Sequence, residues 1–434
     1  MHTLADLRAG KLAGIKRLDL SCGLSEFPVE IFDLADTLEV LNLSGNALTS
    51  LPDDLCRLTR LRVLFASDNA FTHLPEGIGQ CQQLRIVGFK ANRIAHVSAA
   101  ALPPRLRWLI LTDNRIESLP DELGRRPDLQ KLMLAGNRLH ALPTTLAGCH
   151  RLELIRIAAN RLTELPDWLL SLPALAWLAY ADNPLCPERT AAPIREIPWD
   201  RLSMGQCLGE GASGIIQQAL WHNANDERRV AVKLYKGNVT SDGSPLNEMA
   251  ACIAAGQHTQ LIEVLGQISG HPERQRGLVM ALIAPDFGNL AGPPSLESCS
   301  RDVYANGTRF SLPVLLRLAA GIASVTAHLH ARGITHGDLY GHNILVQEDG
   351  NCLLSDFGAA SFHPSAGTGK ALERIETRAF GILLGELLER CEADPQDQNV
   401  MAGLQALQVS CVQPDCQQRP SLAEILLHIK AWSA

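Results

Sequence analysis

The sequence lacks a charge excess that would announce a polyanion or a polycation as its partner. Lys and Arg number 39 against 46 Asp and Glu, for a formal net charge of -7. No basic patch of the kind nucleic-acid binding requires is present. Paired cysteines are missing too. Twelve cysteines are scattered along the chain, no Cys-x-x-Cys occurs, and no histidine cluster stands beside the nearest pair, Cys411 and Cys416. That excludes a zinc ribbon and points to a reducing compartment. No secretory leader is expected from this stretch, because Asp6 and Arg8 stand where its apolar core would be. No apolar run is expected to cross a membrane. The expectation is a cytoplasmic protein with no nucleic-acid and no membrane partner. A length of 434 residues predicts two or more domains, each long enough to bury a core.

What the first half does have is a repeat. A pattern opens at Leu38, Leu61, Leu84, Leu106, Leu129, Leu152 and Leu175, with a variant at Ile15. Its period is 23, once 22. Apolar residues fill the first, fourth and sixth positions. Asparagine fills the ninth, from Asn46 to Asn183, in the seven copies that open on leucine, and the variant first copy has none, with Cys22 and Gly23 at its eighth and ninth positions. Leu-Pro follows in most, as at Leu74-Pro75 and Leu142-Pro143. The pattern resembles the leucine-rich repeat, in eight copies. Alternate residues of a short strand point inward, and stacked strands make a parallel sheet over a continuous core. The asparagine amide is expected to bond backbone groups of the turn. Outward positions of the concave sheet include Phe65, Trp108, Met133 and Trp177. Aromatic and apolar residues on such a face predict a protein partner. The alternative is that the face is covered within the molecule. Residues 1–190 form this region, and Cys186 to Ile197, with prolines and mixed charges, read as a link.

The second half carries chemistry. In Ile334-Thr335-His336-Gly337-Asp338-Leu339-Tyr340-Gly341-His342-Asn343, an acid is followed five residues on by an amide. Asp356-Phe357-Gly358 comes thirteen residues after Asn343. Ile344–Val346 and Cys352–Leu354 predict strands, with Asp349-Gly350 as the hairpin turn between them. A hydroxyl attacking a nucleotide phosphate needs such a set: Asp338 as base, Asn343 and Asp356 as ligands for Mg²⁺. Upstream stand Gly209-Glu210-Gly211-Ala212-Ser213-Gly214, then Val230-Ala231-Val232-Lys233, then Glu248 at the head of an apolar helix. In that order the motifs resemble those of protein kinases, over 198–434. The opening Ile197-Pro198-Trp199 is similar to the tyrosine-kinase-like group. The resemblance implies an α+β bilobal kinase domain following an α/β repeat solenoid. It implies an ATP site formed by Gly209, Gly211, Ser213, Gly214, Ile216, Ala231, Lys233, Met280 and Leu282, with Glu248 paired to Lys233. A second Asp286-Phe287-Gly288 precedes the catalytic loop and reads as a turn.

Several positions depart from the kinase pattern. Gly337 stands where many protein kinases carry an arginine that receives an activation-loop phosphate. Tyr340 stands where many carry a lysine aimed at the γ-phosphate, which implies a slow enzyme with His342 as a partial substitute. Only 17 residues separate Gly358 from Glu376, without Ala-Pro-Glu. Glu376 takes the place of an aspartate, and Glu373 is the candidate partner for Arg419. Ser361, Ser365 and Thr368 remain as acceptors, but without the arginine the resemblance implies control by the repeats and not by loop phosphorylation. The function expected is ATP-dependent protein kinase. The alternatives are a repeat-bearing pseudokinase scaffold and a small-molecule phosphotransferase, in which His-Gly-Asp also occurs.

Overall fold

A computed structural model describes residues 2–186, 194–223, 226–237, 239–364 and 367–432. Ser365 and most of the expected link, 187–193, lie outside the described residues. The chain separates into two compact units, Met1–Leu175 with Asn183–Leu185, and Ala176–Asp182 with Cys186–Ala434. All twelve cysteines are free thiols.

In the first unit each repeat opens with a three-residue strand. Arg17–Asp19, Val40–Asn42, Val63–Phe65, Ile86–Gly88, Trp108–Ile110, Lys131–Met133 and Leu154–Arg156 pair in parallel, each with the next. Fourth-position residues Leu18, Leu41, Leu64, Val87, Leu109, Leu132 and Ile155 are all buried. Short 3-10 turns return the chain, and Pro75, Pro120 and Pro143 each stand directly before one. Proline holds φ near the value such a turn needs and gives up an amide that would have no partner there.

The asparagines do more than close their own turns. Asn137 donates from Nδ2 to Leu134 O (3.0 Å) and to Leu111 O in the preceding repeat (2.9 Å). Its Oδ1 accepts Ile116 N–H at 3.0 Å. Each such side chain therefore ties two repeats together. The residue before it takes a left-handed φ: Gly45, Asp68, Ala91, Asp113, Gly136, Ala159 and Asp182.

The second unit begins its sheet earlier than expected. Glu196–Pro198, read from sequence as part of a link, is a strand parallel to Val264–Ser269. The sheet order is Leu202–Glu210, Gly214–Asn223, Asp226–Tyr235, Gly277–Ala281, Val264–Ser269, Glu196–Pro198. Its core includes Ile197, Ala219, Trp221, Val230, Val232 and Val279. The helix Pro245–Ala255 starts on Ser244, whose hydroxyl accepts Leu246 N–H. Below follow the helices Leu312–His330, Thr368–Leu388, Gln398–Cys411 and Leu422–Trp432. Ile344–Val346 and Cys352–Leu354 pair as the sequence predicts, and Gly350 turns between them at φ 87°.

Two expectations need correction. The helix expected to begin at Glu376 begins at Thr368, so strand Ser361–Phe362 is the only regular element between Gly358 and that helix among the described residues. One apolar run does reach membrane-crossing length: Leu312–His330 is long and apolar enough by length and composition. It is a central helix whose Leu315, Leu318, Ile322, Val325 and Leu329 are fully buried in the protein, which accounts for its apolar character.

Asn137→Ala should leave Ile116 N–H and two buried carbonyls without this partner, at about 1–3 kcal/mol. The urea midpoint of the repeat unit should fall accordingly, while exposed Arg138→Ala should stay within about 0.5 kcal/mol of wild type.

Candidate active site

The glycine-rich stretch is the tip of a hairpin. Leu202–Glu210 and Gly214–Asn223 pair antiparallel, and Gly211 N–H donates to Gly214 O at 2.9 Å. The next strand carries Lys233 opposite Ile216 on one side and Leu278 on the other. Glu248, in the first turn of Pro245–Ala255, is buried and meets the Lys233 ammonium directly. Burial alone would push the Lys233 proton off. The adjacent Glu248 carboxylate outweighs it and holds the lysine above its ordinary pKa.

These residues face a cavity of about 290 Å³. Gly211, Ser213, Gly214, Ile216, Lys233, Met280 and Asp356 line it, as the sequence predicts. Three predicted nucleotide residues do not. Gly209 lies along the first hairpin strand, Ala231 is buried within the sheet, and Leu282 falls just beyond Gly277–Ala281. The cavity sits on the Glu248 side of the lysine instead, walled by Cys252, Leu261, Val264 and Phe357.

A web of hydrogen bonds fixes the loop that carries Asp338. Asn343 Nδ2 donates to Asp338 O (2.9 Å) and to Asp338 Oδ2 (2.8 Å). Asn343 O accepts both the amide and the hydroxyl of Ser355 at 2.9 Å, the residue before Asp356. His336 Nε2 donates to Ser355 O at 2.9 Å, and its ring meets Phe357 edge-on at 5.2 Å. The expected base and the two expected metal ligands are thus tied into one constellation. With its nitrogen turned to Asp338, Asn343 keeps Oδ1 as a donor atom. Asp356, at φ 56°, accepts Gly358 N–H on Oδ1. An amide oxygen and a carboxylate are the hard donors Mg²⁺ prefers, so these residues fit that ion.

His330 and Asp302, which flank the loop, were not legible as site residues. Gly337 N–H donates to buried Glu376 Oε1 at 2.7 Å, and His330 Nε2 lies 2.8 Å from Oε2. Burial opposes a charge on Glu376, yet the His330 hydrogen bond prevails and lowers its pKa. Asp302 takes His342 through both the backbone amide (3.0 Å) and Nδ1 (2.7 Å). Burial opposes the His342 proton, but the Asp302 bond and nearby Asp338 raise its pKa overall. Arg419 is held by the carbonyls of Gln413 (2.8 Å) and Arg374 (3.1 Å). Glu373, its expected partner, lies 3.8 Å from His363 Nε2. Asp286 lies in a turn, as expected, and accepts Gln347 Nε2.

Trp177 also needs correction. Expected on an open partner face, it is 1% exposed and stacks on Tyr340 with ring centroids 4.2 Å apart and planes 6° from parallel. Its Nε1–H donates to Leu339 O at 3.1 Å. Tyr180 follows, its amide donating to Ser361 Oγ and its hydroxyl to Phe362 O, both at 3.1 Å. An indole withdraws about 150–250 Å² from water, on the order of 4–6 kcal/mol. Ser361, a candidate phosphate acceptor, is therefore buried under Tyr180, whereas Thr368 is exposed. Phe65, Trp108 and Met133 are half-buried, and Trp108 Nε1 approaches Met133 Sδ at 3.2 Å.

Residues 202–378 match the family described as protein tyrosine and serine/threonine kinase. Residues 37–58 and 104–162 match leucine-rich repeat families. Among curated proteins the chain is similar to "Activated Cdc42 kinase-like" of Drosophila melanogaster, 27% identical over 201 residues, 46% of this chain and 14% of that protein. It is 30% identical over 182 residues to fibroblast growth factor receptor 1 of Pleurodeles waltl, 39% of this chain and 22% of the receptor. With serine/threonine-protein kinase mos of Gallus gallus it shares 28% over 173 residues, 38% and 48% of the two chains. The chain spans less than half the length of each of these relatives.

Beneath the loop, Glu386 Oε2 accepts the Tyr304 hydroxyl at 3.1 Å. Burial first, then nearby Asp302, push its pKa from 4.5 up to about 7, against the pull of Tyr304, Arg301 and Arg390. Between those values the folded protein holds a proton that the unfolded chain has lost, so stability falls as pH rises through that window. The melting temperature should drop between about pH 5 and about pH 7.5 by more in wild type than in Glu386→Gln.

Proposed function

We propose that this chain, which joins leucine-rich repeats to a kinase domain of the protein tyrosine and serine/threonine type, transfers the γ-phosphate of ATP to a protein hydroxyl. The observation that carries the reading is the tie from Asp338 through Asn343 to Ser355 and Asp356, together with the Lys233–Glu248 pair on the same cavity as Asp356.

In this mechanism the glycine hairpin closes over the phosphates, and Lys233 grips the α- and β-phosphates while Glu248 keeps it charged and aimed. Asn343 Oδ1 and the Asp356 carboxylate would hold Mg²⁺, which when bound neutralises phosphate charge. Asp338, oriented by the Asn343 amide, takes the proton of the acceptor hydroxyl as its oxygen bonds to the γ-phosphorus. The bond from that phosphorus to the β–γ bridging oxygen breaks, and ADP leaves with the electron pair. Tyr340 adds no charge here. Losing one such donor costs about 10²–10³ in rate, so the enzyme is slow. Burial opposes a proton on His342, but the Asp302 bond raises its pKa overall, and this imidazole is the loop's candidate to stand in for the missing charge.

The repeats choose the target, through Phe65, Trp108 and Met133. A small acceptor molecule is the second reading. It is favoured by how little chain lies between Gly358 and Thr368 to hold an extended peptide.

Asp338→Asn should abolish transfer in a radiolabelled-ATP assay with ATP affinity within about threefold, since the base acts in the transition state. Asp356→Asn should weaken Mg²⁺-dependent nucleotide binding itself. Equal rates for wild type and Asp338→Asn would sink the reading in favour of a scaffold. Phe65→Ala with Trp108→Ala should slow phosphorylation of a protein target and leave that of a short generic peptide unchanged.

A further inference from the structure

The segment Ala176–Asp182 belongs to the same compact unit as the loop that carries Asp338, and it meets that loop and the strand beside it through Trp177, Leu178 and Tyr180. Trp177 covers Tyr340 and bonds Leu339 O. Leu178 O stands 2.8 Å from where a Cβ on Gly337 would lie. Tyr180 bonds Ser361 and Phe362, on the strand that pairs with Ile334–Thr335 just before the loop. Asp338 lies between Gly337 and Leu339, so the segment holds the backbone on both sides of the base. The indole has a guanidinium as well, Arg301 at 5.6 Å from the ring.

From these contacts we infer that Trp177 is a positioning residue for the phosphoryl-transfer reaction. It supports the backbone of Leu339 and Tyr340 and thereby sets where Asp338 stands. The inference rests on the kinase reading above. A releasable lid is the competing idea, and the contact is a poor lid. A ligand must favour the open state about 10⁴-fold to move such an equilibrium from 1:99 to 99:1. Here a buried, stacked and hydrogen-bonded indole would have to be withdrawn as well. A permanent support also explains the aromatic at position 340: the residue two beyond the base is spent on the stack, and the loop gains rigidity in place of a charge.

Reacting groups misplaced by about 1 Å lose on the order of 10² in rate without losing substrate affinity. The test uses the full chain as wild type, Trp177→Ala, Trp177→Phe, Tyr340→Ala and the Trp177→Ala/Tyr340→Ala pair. Phosphate transfer is measured over a range of ATP concentrations, and amide hydrogen exchange is followed at Leu339–Asn343 and at Leu315–Leu329.

The expected result for Trp177→Ala is kcat down about 10²-fold with the KM for ATP within about threefold. Trp177→Phe, which keeps the stack, should recover most of the rate. The double variant should lose no more than Trp177→Ala alone, because that change already removes the stack. Exchange at Leu339–Asn343 should quicken while Leu315–Leu329 stays protected. Should Trp177→Ala fail to fold, Tyr340→Ala carries the same expectation, since it removes the stack and leaves the bond to Leu339. A Trp177→Ala rate equal to wild type overturns the inference alone. A higher rate overturns it in favour of a lid. If wild type transfers no phosphate, the kinase reading fails and the positioning role fails with it, whatever the exchange at the loop.

Discussion

Gly337 turns the chain at φ 73°, and the space a side chain would need is taken by the carbonyls of Ala359 and Leu178, 2.5 and 2.8 Å from an added Cβ. Both the conformation and the crowding exclude other residues. The approach of Ala359 keeps the strand Ser361–Phe362 against Ile334–Thr335. The amide of the same glycine is bound by Glu376, whose other oxygen faces His330. The contacts that fix the backbone just before Asp338 therefore meet at one residue. In sequence, Gly337 read as the loss of an arginine that receives phosphate. In the structure it is a place where an arginine has no room.

The electrostatics follow from that compactness. Burial by itself would discharge Lys233, Glu376 and His342, and in each case a partner outweighs it and shifts the pKa the other way: Glu248, His330 and Asp302. Removing one partner strands the other in a poorly solvated site, which is why such pairs are costly to break even where forming them yields little. At Glu386 burial prevails over Tyr304, Arg301 and Arg390, and the pKa rises to about 7.

How much was legible depended on distance along the chain. Repeat strands, the Asn343 hairpin and the Lys233 strand were readable because their signals are local: an inward alternation, a turn dipeptide, a spacing of a few residues. The asparagine's reach into the preceding repeat was not, since Asn137 and Leu111 share no local pattern. Asp302 escaped notice for the same reason, standing 40 residues before the histidine it holds. The early start of the helix at Thr368 was masked by the family's usual spacing, which placed the helix at Glu376. Trp177 was expected to anchor a partner, with cover from within the molecule as the alternative, and its stack on Tyr340 fits the alternative. Periodicity tells which side of a strand a residue occupies and nothing about what covers that side.

The Trp177–Leu339 bond joins residues 162 positions apart. Chains emerge from the ribosome at about 5–20 residues per second, N-terminus first. Trp177 and Tyr180 thus wait on the order of 10–30 s before Leu339 and Ser361 exist to receive them. Through that interval two large aromatic rings, later buried, face solvent on a nascent chain. The order of the loop around Asp338 is thus completed late in synthesis, only after residues 162 positions apart have both been made.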